Sequence, residues 1–180
     1  MSQHLPEPSD QSAQKKTAQP RELLLRYLDF YRSEVARKLD GLSDVESRTS
    51  RMPSGWSPLE LLNHLVHMER RWLVWGFAGE NVAEPWGDDG PDGRWVVDPS
   101  TTREELVNAL HEGGRRTRAI VEVSDLAQLG ATGGRFAADR PPPTLAFILF
   151  HVLQEYARHT GHLDVARELA DGLVGEDPSM

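Results

Sequence analysis

The sequence of 180 residues contains no cysteine. A chain without cysteine can form neither a disulfide bond nor a thiolate metal site. Imidazole and carboxylate groups are then the strong protein ligands that remain for a metal ion. The absence also suits a protein that works in a reducing compartment, so we expect a cytoplasmic protein.

Long apolar runs are missing as well. No stretch approaches the roughly 20 apolar residues that a membrane-spanning helix needs. The first sixteen residues, MSQHLPEPSDQSAQKK, lack the apolar segment of a secretory signal. We therefore expect a soluble protein that has no membrane partner.

Basic residues are outnumbered by acidic ones. Twenty Lys and Arg residues stand against 28 Asp and Glu residues, which gives a formal net charge of -8. A surface with this charge repels a phosphate backbone, so we do not expect nucleic acid as a partner.

The distribution of apolar residues predicts one domain between two tails. Residues 1–20 are rich in Ser, Gln, Pro and Lys, and burial of so few apolar side chains cannot offset the entropy of ordering them. We expect a disordered N-terminal tail there and a short C-terminal tail at residues 173–180. Residues 21–172 have a length typical of a single domain.

Four segments of the domain have apolar residues at three- and four-residue spacing, which predicts amphipathic helices. They run from Pro20 to Leu39, from Ser57 to about Gly79, from Thr101 or Thr102 to Val121, and from Thr144 to about Ala170. Ser57 with Glu60 has the pattern of a capping box, and Gly172 has the position of a C-terminal cap. The fold class predicted from this pattern is all-α, a four-helix bundle.

The second and third helices are joined by a long connection at residues 80–100, where Pro, Gly and Asp occur at the density of turns. A short extended piece is expected at residues 95–97. A connection of this length is either a lid or binding loop, or a plain crossover between helices, and both interpretations stay open.

Histidines are concentrated in the segment HVLQEYARHTGH, residues 151–162. Its four candidate ligands lie three or four residues apart and therefore share one helix face: His151, Glu155, His159 and His162. The second helix adds His64 and His67. Bundle cores build metal sites from side chains on facing helices, and two histidines with a glutamate form a known catalytic zinc set. A histidine bonded to a core carbonyl or carboxylate is the other interpretation, and spacing alone does not choose the ligands.

Three stretches of the chain resemble the DinB-like superfamily (DinB/YfiT-like bundles), and the closest branch contains mycothiol-dependent maleylpyruvate isomerase. They are SGWSPLELLNHLVHMERRW at 54–72, GFAGE followed by EPWGD at 76–88, and HVLQEYARHTGHLDVARELADG at 151–172. The resemblance covers nearly all of residues 21–172, including KLDGLSD at 38–44.

The resemblance implies a divalent metal, zinc or alternatively nickel, held by His64, Glu155 and His159. In many members both ligands on the last helix are histidines, whereas the mycothiol-dependent branch has a glutamate first, as here. Four more residues then become candidates for orienting the ligands, for proton transfer or for contacting a substrate, or are bystanders: His67, His151, His162 and Arg158.

The function implied by the resemblance is that of a metal-dependent enzyme using a low-molecular-weight thiol, a mycothiol-type S-transferase or isomerase. Its partners would be a small electrophile and the thiol, and the protein would be a monomer or a homodimer. Two alternatives stay open. One is a metal-dependent hydrolase, and the other is a non-catalytic metal-binding protein of the stress response.

Overall fold

The computed structural model describes residues 19–174. Its helices are α1 (Pro20–Leu39), α2 (Asp44–Arg48), α3 (Pro58–Arg70), α4 (Arg103–Val123) and α5 (Leu145–Asp171). Within this range there are two isolated β-bridges and no strand longer than a bridge. The predicted all-α fold is thereby confirmed. The predicted tails lie outside the described residues, apart from residues 19–20 and 173–174, and remain predictions.

Two local features were not predicted. One is α2, a short helix whose N-terminus is closed by a capping box between Ser43 and Glu46. The other is a π-helical segment, Arg71–Phe77, which continues directly from α3. π-Helical turns are rare and often lie at functional sites because the extra residue changes which side chains face inward. The extended piece expected at residues 95–97 is reduced to a bridge between Asp89 and Trp95.

The long helices begin where their capping residues predict. Ser57 and Glu60 form the expected capping box, and at α4 the choice falls on Thr102, which pairs with Glu105. Thr144 caps α5, and Gly172 ends it in the left-handed conformation with a φ of 77°. These caps satisfy backbone N–H and C=O groups that have no partner inside a helix.

The four long helices form a bundle in which α1 and α3 each pack against both α4 and α5. Arg32 contacts Tyr156, and Lys38, later in α1, pairs with Asp164, later in α5, so α1 runs parallel to α5. Asp29 pairs with Arg118, whereas Leu39, at the end of α1, accepts a hydrogen bond from Arg103 at the start of α4, so α1 runs antiparallel to α4. Contacts of His64 with His159 and of Trp72 with His151 show that α3 runs antiparallel to α5. It follows that α3 and α4 run in the same direction.

This topology explains the long connection between α3 and α4, residues 78–102. A chain that joins two neighbouring helices of the same direction must return along the length of the bundle. On its way it packs on α3, where Asn63 donates a hydrogen bond to the carbonyl of Val96 at 2.7 Å. The connection is therefore a crossover that also lies over the site described below.

A buried polar network joins all four long helices at the centre of the bundle. Glu69 of α3 accepts hydrogen bonds from Arg32 of α1, from Thr117 of α4 and, at 2.6 Å, from the hydroxyl of Tyr156 of α5. Burial alone would raise the pKa of Glu69, but the charge of Arg32 and these hydrogen bonds lower it below its ordinary value. Because Tyr156 follows Glu155, the network fixes the register at which α5 faces α3.

Candidate metal centre

Three potential metal ligands from two helices meet at one point. His64 lies on α3, and Glu155 and His159 lie one turn apart on α5; one ligand atom from each is within 4.8 Å of the other two. Nε2 of His159 is 3.1 Å from Oε2 of Glu155. The imidazole rings of His64 and His159 meet edge to face at 5.2 Å between centroids.

Asp88 holds the ring of His64 in place. Nδ1 of His64 lies 2.9 Å from Oδ2 of Asp88, a fully buried residue of the long connection. Burial alone would raise the pKa of Asp88, but hydrogen bonds from His64 and Arg71 lower it to about 2. The ionised Asp88 accepts a hydrogen bond from Nδ1–H of His64, which leaves Nε2 of His64 free to bind a metal.

The carboxylate of Asp88 is itself held by Arg71, the first residue of the π-helical segment. Both terminal nitrogens of Arg71 donate to it, Nη2 at 3.0 Å, and Nη1 also donates to the carbonyl of Pro85. Two-point pairing of this kind fixes the plane of the carboxylate as well as its position. The orientation of His64 thus depends on a chain of contacts through Asp88 to Arg71.

His159 has an analogous partner in His162. Their Nδ1 atoms are 3.3 Å apart, so one of the two rings donates a hydrogen bond to the other, while Nε2 of His159 faces Glu155. Burial and, to a smaller extent, the nearby His64 lower the pKa of His159, Glu155 opposes the shift, and the resulting pKa is about 4. At neutral pH His159 is therefore uncharged, which is the form that binds metal ions.

The remaining candidates from the sequence lie at different distances from the three donors. Nε2 of His151 and Nη1 of Arg158 are each 3.9 Å from Oε1 of Glu155. Burial lowers the pKa of His151, Glu155 opposes this, and the charges of Arg135 and Arg158 lower it further. His67 does not belong to the group of three donors: its Nδ1 lies 3.1 Å from Nη2 of Arg70 and 4.0 Å from Oδ1 of Asp88, and its ring packs against Gly87.

Aromatic side chains form the wall of the candidate site. The ring of Trp95 stacks on His64 at 4.1 Å and meets His159 at 5.2 Å. Trp56 lies 6.0 Å from the ring of His162 and 6.5 Å from Trp95. Trp95 and Asp88 both belong to the connection. Its turn residues and short bridge have no periodic pattern, so the sequence does not predict that these two side chains contact α3.

The three donors fit a divalent cation by chemistry and by spacing. Ligands about 2.1 Å from an ion in a tetrahedral site lie about 3.4 Å from one another, so small side-chain rotations bring atoms within 4.8 Å of each other into place. Two imidazoles and one carboxylate are ligands of zinc and also of nickel. Three protein ligands also leave a position open for another molecule.

Comparison with known proteins identifies a family that the chain matches. A family model described as mycothiol-S-transferase matches residues 23–172. The matched region extends from α1 to the end of α5 and includes all three donors, Asp88 and Trp95. No curated protein matches the chain.

Proposed function

The chain belongs to the mycothiol-S-transferase family, and from this premise we propose that it joins the sulfur of mycothiol, or of a similar small thiol, to a small electrophile. The family match confirms the relationship to a mycothiol branch that the sequence motifs predicted. The chain has no cysteine of its own, so the reacting thiol must come from another molecule.

The proposed site of this reaction is the centre formed by His64, Glu155 and His159, and these residues would hold a divalent cation, zinc or alternatively nickel. Such a cation, when bound, supplies positive charge that lowers the pKa of a thiol placed beside it. Two neutral imidazoles and one carboxylate would leave about half of that charge unbalanced, because only Glu155 among the donors is an anion.

The surrounding residues of the chain keep this arrangement rigid and partly dry. Asp88 and His162 each contact Nδ1 of one donor histidine, and this leaves Nε2 of His64 and Nε2 of His159, which faces Glu155, as the atoms that would bind the cation. Trp95 covers His64, which shields the donors from water on that face and strengthens their electrostatic effect. Rigid donors held by outer partners bind metal more tightly than flexible ones.

The proposed reaction is a substitution and needs neither an oxidant nor a reductant. The thiol loses its S–H proton to the solvent, its sulfur forms a bond to the electrophilic carbon, and the leaving group departs with the electrons of the bond that breaks. The observation that carries the proposal is the meeting of His64 from α3 with Glu155 and His159 from α5, inside a chain that the family match assigns to S-transferases.

The test uses zinc-loaded protein, mycothiol and monobromobimane, whose thioether product is fluorescent. We expect product to form faster than without protein, to require the metal, and to be lost in His64→Ala and Glu155→Gln. His111→Ala is the matched control, because His111 is an exposed histidine of α4 and should not affect the rate. In cobalt-loaded protein, addition of the thiol should produce a sulfur-to-metal charge-transfer band.

Two results would contradict this proposal and favour the alternatives. Metal-dependent hydrolysis of an ester in the absence of thiol, with no thioether formed, would indicate the hydrolase. If neither activity appears and metal removal only lowers the melting temperature, the protein would be a non-catalytic metal binder.

A further inference from the structure

A pocket of about 790 Å³ lies beside the candidate metal centre, between the π-helical segment, the long connection and the loop that precedes α5. Its volume falls within the range typical of small-molecule sites. Its lining is mainly aromatic and proline side chains with two arginines, and includes Trp72, Trp86, Arg135, Phe136, Arg140 and Phe147.

Arg135 is the distinctive polar group of this pocket. Its guanidinium lies 4.0 Å from the ring centroid of Trp72 and 5.4 Å from that of Trp86. A guanidinium that stacks on a ring uses its flat face, whereas its N–H groups lie in its plane. The stacking therefore holds Arg135 in position and leaves its donors available to a ligand.

Arg135 lacks the carboxylate partner that a half-buried arginine normally has. Among residues 19–174, no carboxylate lies within ion-pair distance of its guanidinium. Arg71 provides a comparison, because it also stacks on Trp86, at 4.5 Å, but is paired with Asp88. A partly desolvated cation without a counter-ion is costly, and a bound anion would offset that cost.

Glycines keep the loop that carries Arg135 close to the π-helical segment. A Cβ atom on Gly134 would lie 2.8 Å from Nε1 of Trp75, and one on Gly76 would lie 3.0 Å from the ring of Phe136. Both distances are shorter than an ordinary van der Waals contact. The position of Arg135 over Trp72 thus depends on this close packing.

The pocket borders the metal centre through two rings. Trp72, which lines the pocket, lies 4.2 Å from the ring of His151, and Nε2 of His151 is 3.9 Å from Oε1 of Glu155. A small molecule bound in the pocket would therefore be separated from Glu155, a proposed metal-binding residue, by His151.

From this arrangement we infer that the pocket binds an electrophilic substrate with a carboxylate on a flat apolar body, the carboxylate pairing with Arg135 and the body contacting Trp72 and Phe136. The identification of the ligand as the electrophile rests on the proposed S-transferase function. The preference for a carboxylate rests on the pocket alone.

The test compares hydrocinnamate with its neutral amide, hydrocinnamamide, as probes of the full-length protein. Binding is followed by the indole N–H signals of isotopically labelled tryptophans, in which Trp86→Phe and Trp72→Phe identify the two pocket signals. We expect the carboxylate to bind about tenfold more tightly than the amide, because a charge-assisted hydrogen bond is lost in the amide. Both pocket indole signals should shift on binding.

Substitutions of single arginines test which residue causes the preference for the carboxylate over the amide. Arg135→Gln should bind the two probes equally, and Arg135→Lys should keep part of the preference because it retains the charge without the planar group. Arg115→Gln is the matched control, because Arg115 is an exposed arginine of α4, and it should bind like the wild type. Unchanged melting temperatures of the variants show that they are folded.

Equal binding of acid and amide to the wild type, or a preference that survives in Arg135→Gln, would overturn the carboxylate site. These measurements need neither thiol nor metal, and monobromobimane has no carboxylate, so the two proposals fail separately. If the preference is present but no thioether forms with any thiol, the pocket is a carboxylate site and its assignment to an electrophile is overturned.

Discussion

Nδ1 of His64 lies 2.9 Å from Oδ2 of Asp88, a residue 24 positions later in the chain. The contact makes the long connection part of the candidate metal centre. The connection is a crossover by topology, but it is not a plain one, because it also contributes Asp88 and Trp95 to the candidate site. The geometry of the candidate site therefore depends on residues outside the bundle helices.

Replacement of Asp88 by Asn should weaken zinc binding by about 10- to 100-fold, because His64 loses the anion that orients its ring. It should also lower the free energy of unfolding by about 3 kcal/mol, since the buried Arg71 loses its charged partner. Zinc competition with a chromophoric chelator and urea unfolding measure the two effects. The neighbouring Asp89 is exposed, so Asp89→Asn should change neither. Equal effects of the two variants would contradict the role of Asp88.

Replacement of Glu155 by Gln should reduce zinc affinity far more than replacement of His162 by Gln. Glu155 is the only anion among the proposed ligands. His162 contacts Nδ1 of His159, the nitrogen that would not bind the metal, and its loss should weaken zinc affinity about tenfold. Zinc titration of both variants against the wild type provides the measurement. A similar loss in the two variants would mean that the ligands are assigned wrongly.

The buried Glu69 should make the protein sensitive to acid. Its pKa is lowered below the ordinary value of 4.5 in the folded protein, so its stabilising effect is present above that pH and is lost as the pH falls through the folded pKa. Glu69→Gln should lower the free energy of unfolding by about 3 to 5 kcal/mol at about pH 7, because Arg32 is left unpaired.

The difference in stability between the wild type and Glu69→Gln should shrink as the solution is acidified below pH 4.5. Urea unfolding over a pH series checks this, and Glu112→Gln is a control because Glu112 is exposed on α4. A difference that stays constant with pH would show that folding does not lower the pKa of Glu69.

Two adjacent glycines of α4 should respond in opposite ways to replacement by alanine. A Cβ atom on Gly113 would have only an ordinary contact, 3.9 Å from Oε2 of Glu69, so Gly113→Ala should stabilise the helix by about 0.5 to 1 kcal/mol. A Cβ atom on Gly114 would lie 3.0 Å from Cδ and Nε of Arg32, so Gly114→Ala should destabilise the protein. Thermal unfolding of both variants tests the pair, and the same sign for both would refute the packing described for α1 and α4.

The sequence determined the helices and one half of the candidate site. Helix periodicity and caps depend on residues within a few positions of each other, which is why the starts at Ser57 and Thr144 could be read directly and the start of α4 could be narrowed to Thr101 or Thr102. The spacing of Glu155 and His159 has the same origin, since residues four apart on a helix share a face. The choice of these two among four candidates came from resemblance to a family, not from spacing.

Tertiary structure alone decided which residues complete the site. The π-helical segment, the register of α5 against α3 and the return of the connection along α3 place Asp88 and Trp95 on His64 and Arg135 on Trp72. Each of these contacts joins residues more than twenty positions apart, and one partner of each, Asp88, Trp95 or Arg135, lies in a segment without a periodic pattern. Local sequence carries no information on such a contact, because its energy arises only when the bundle has closed and the buried groups must find partners.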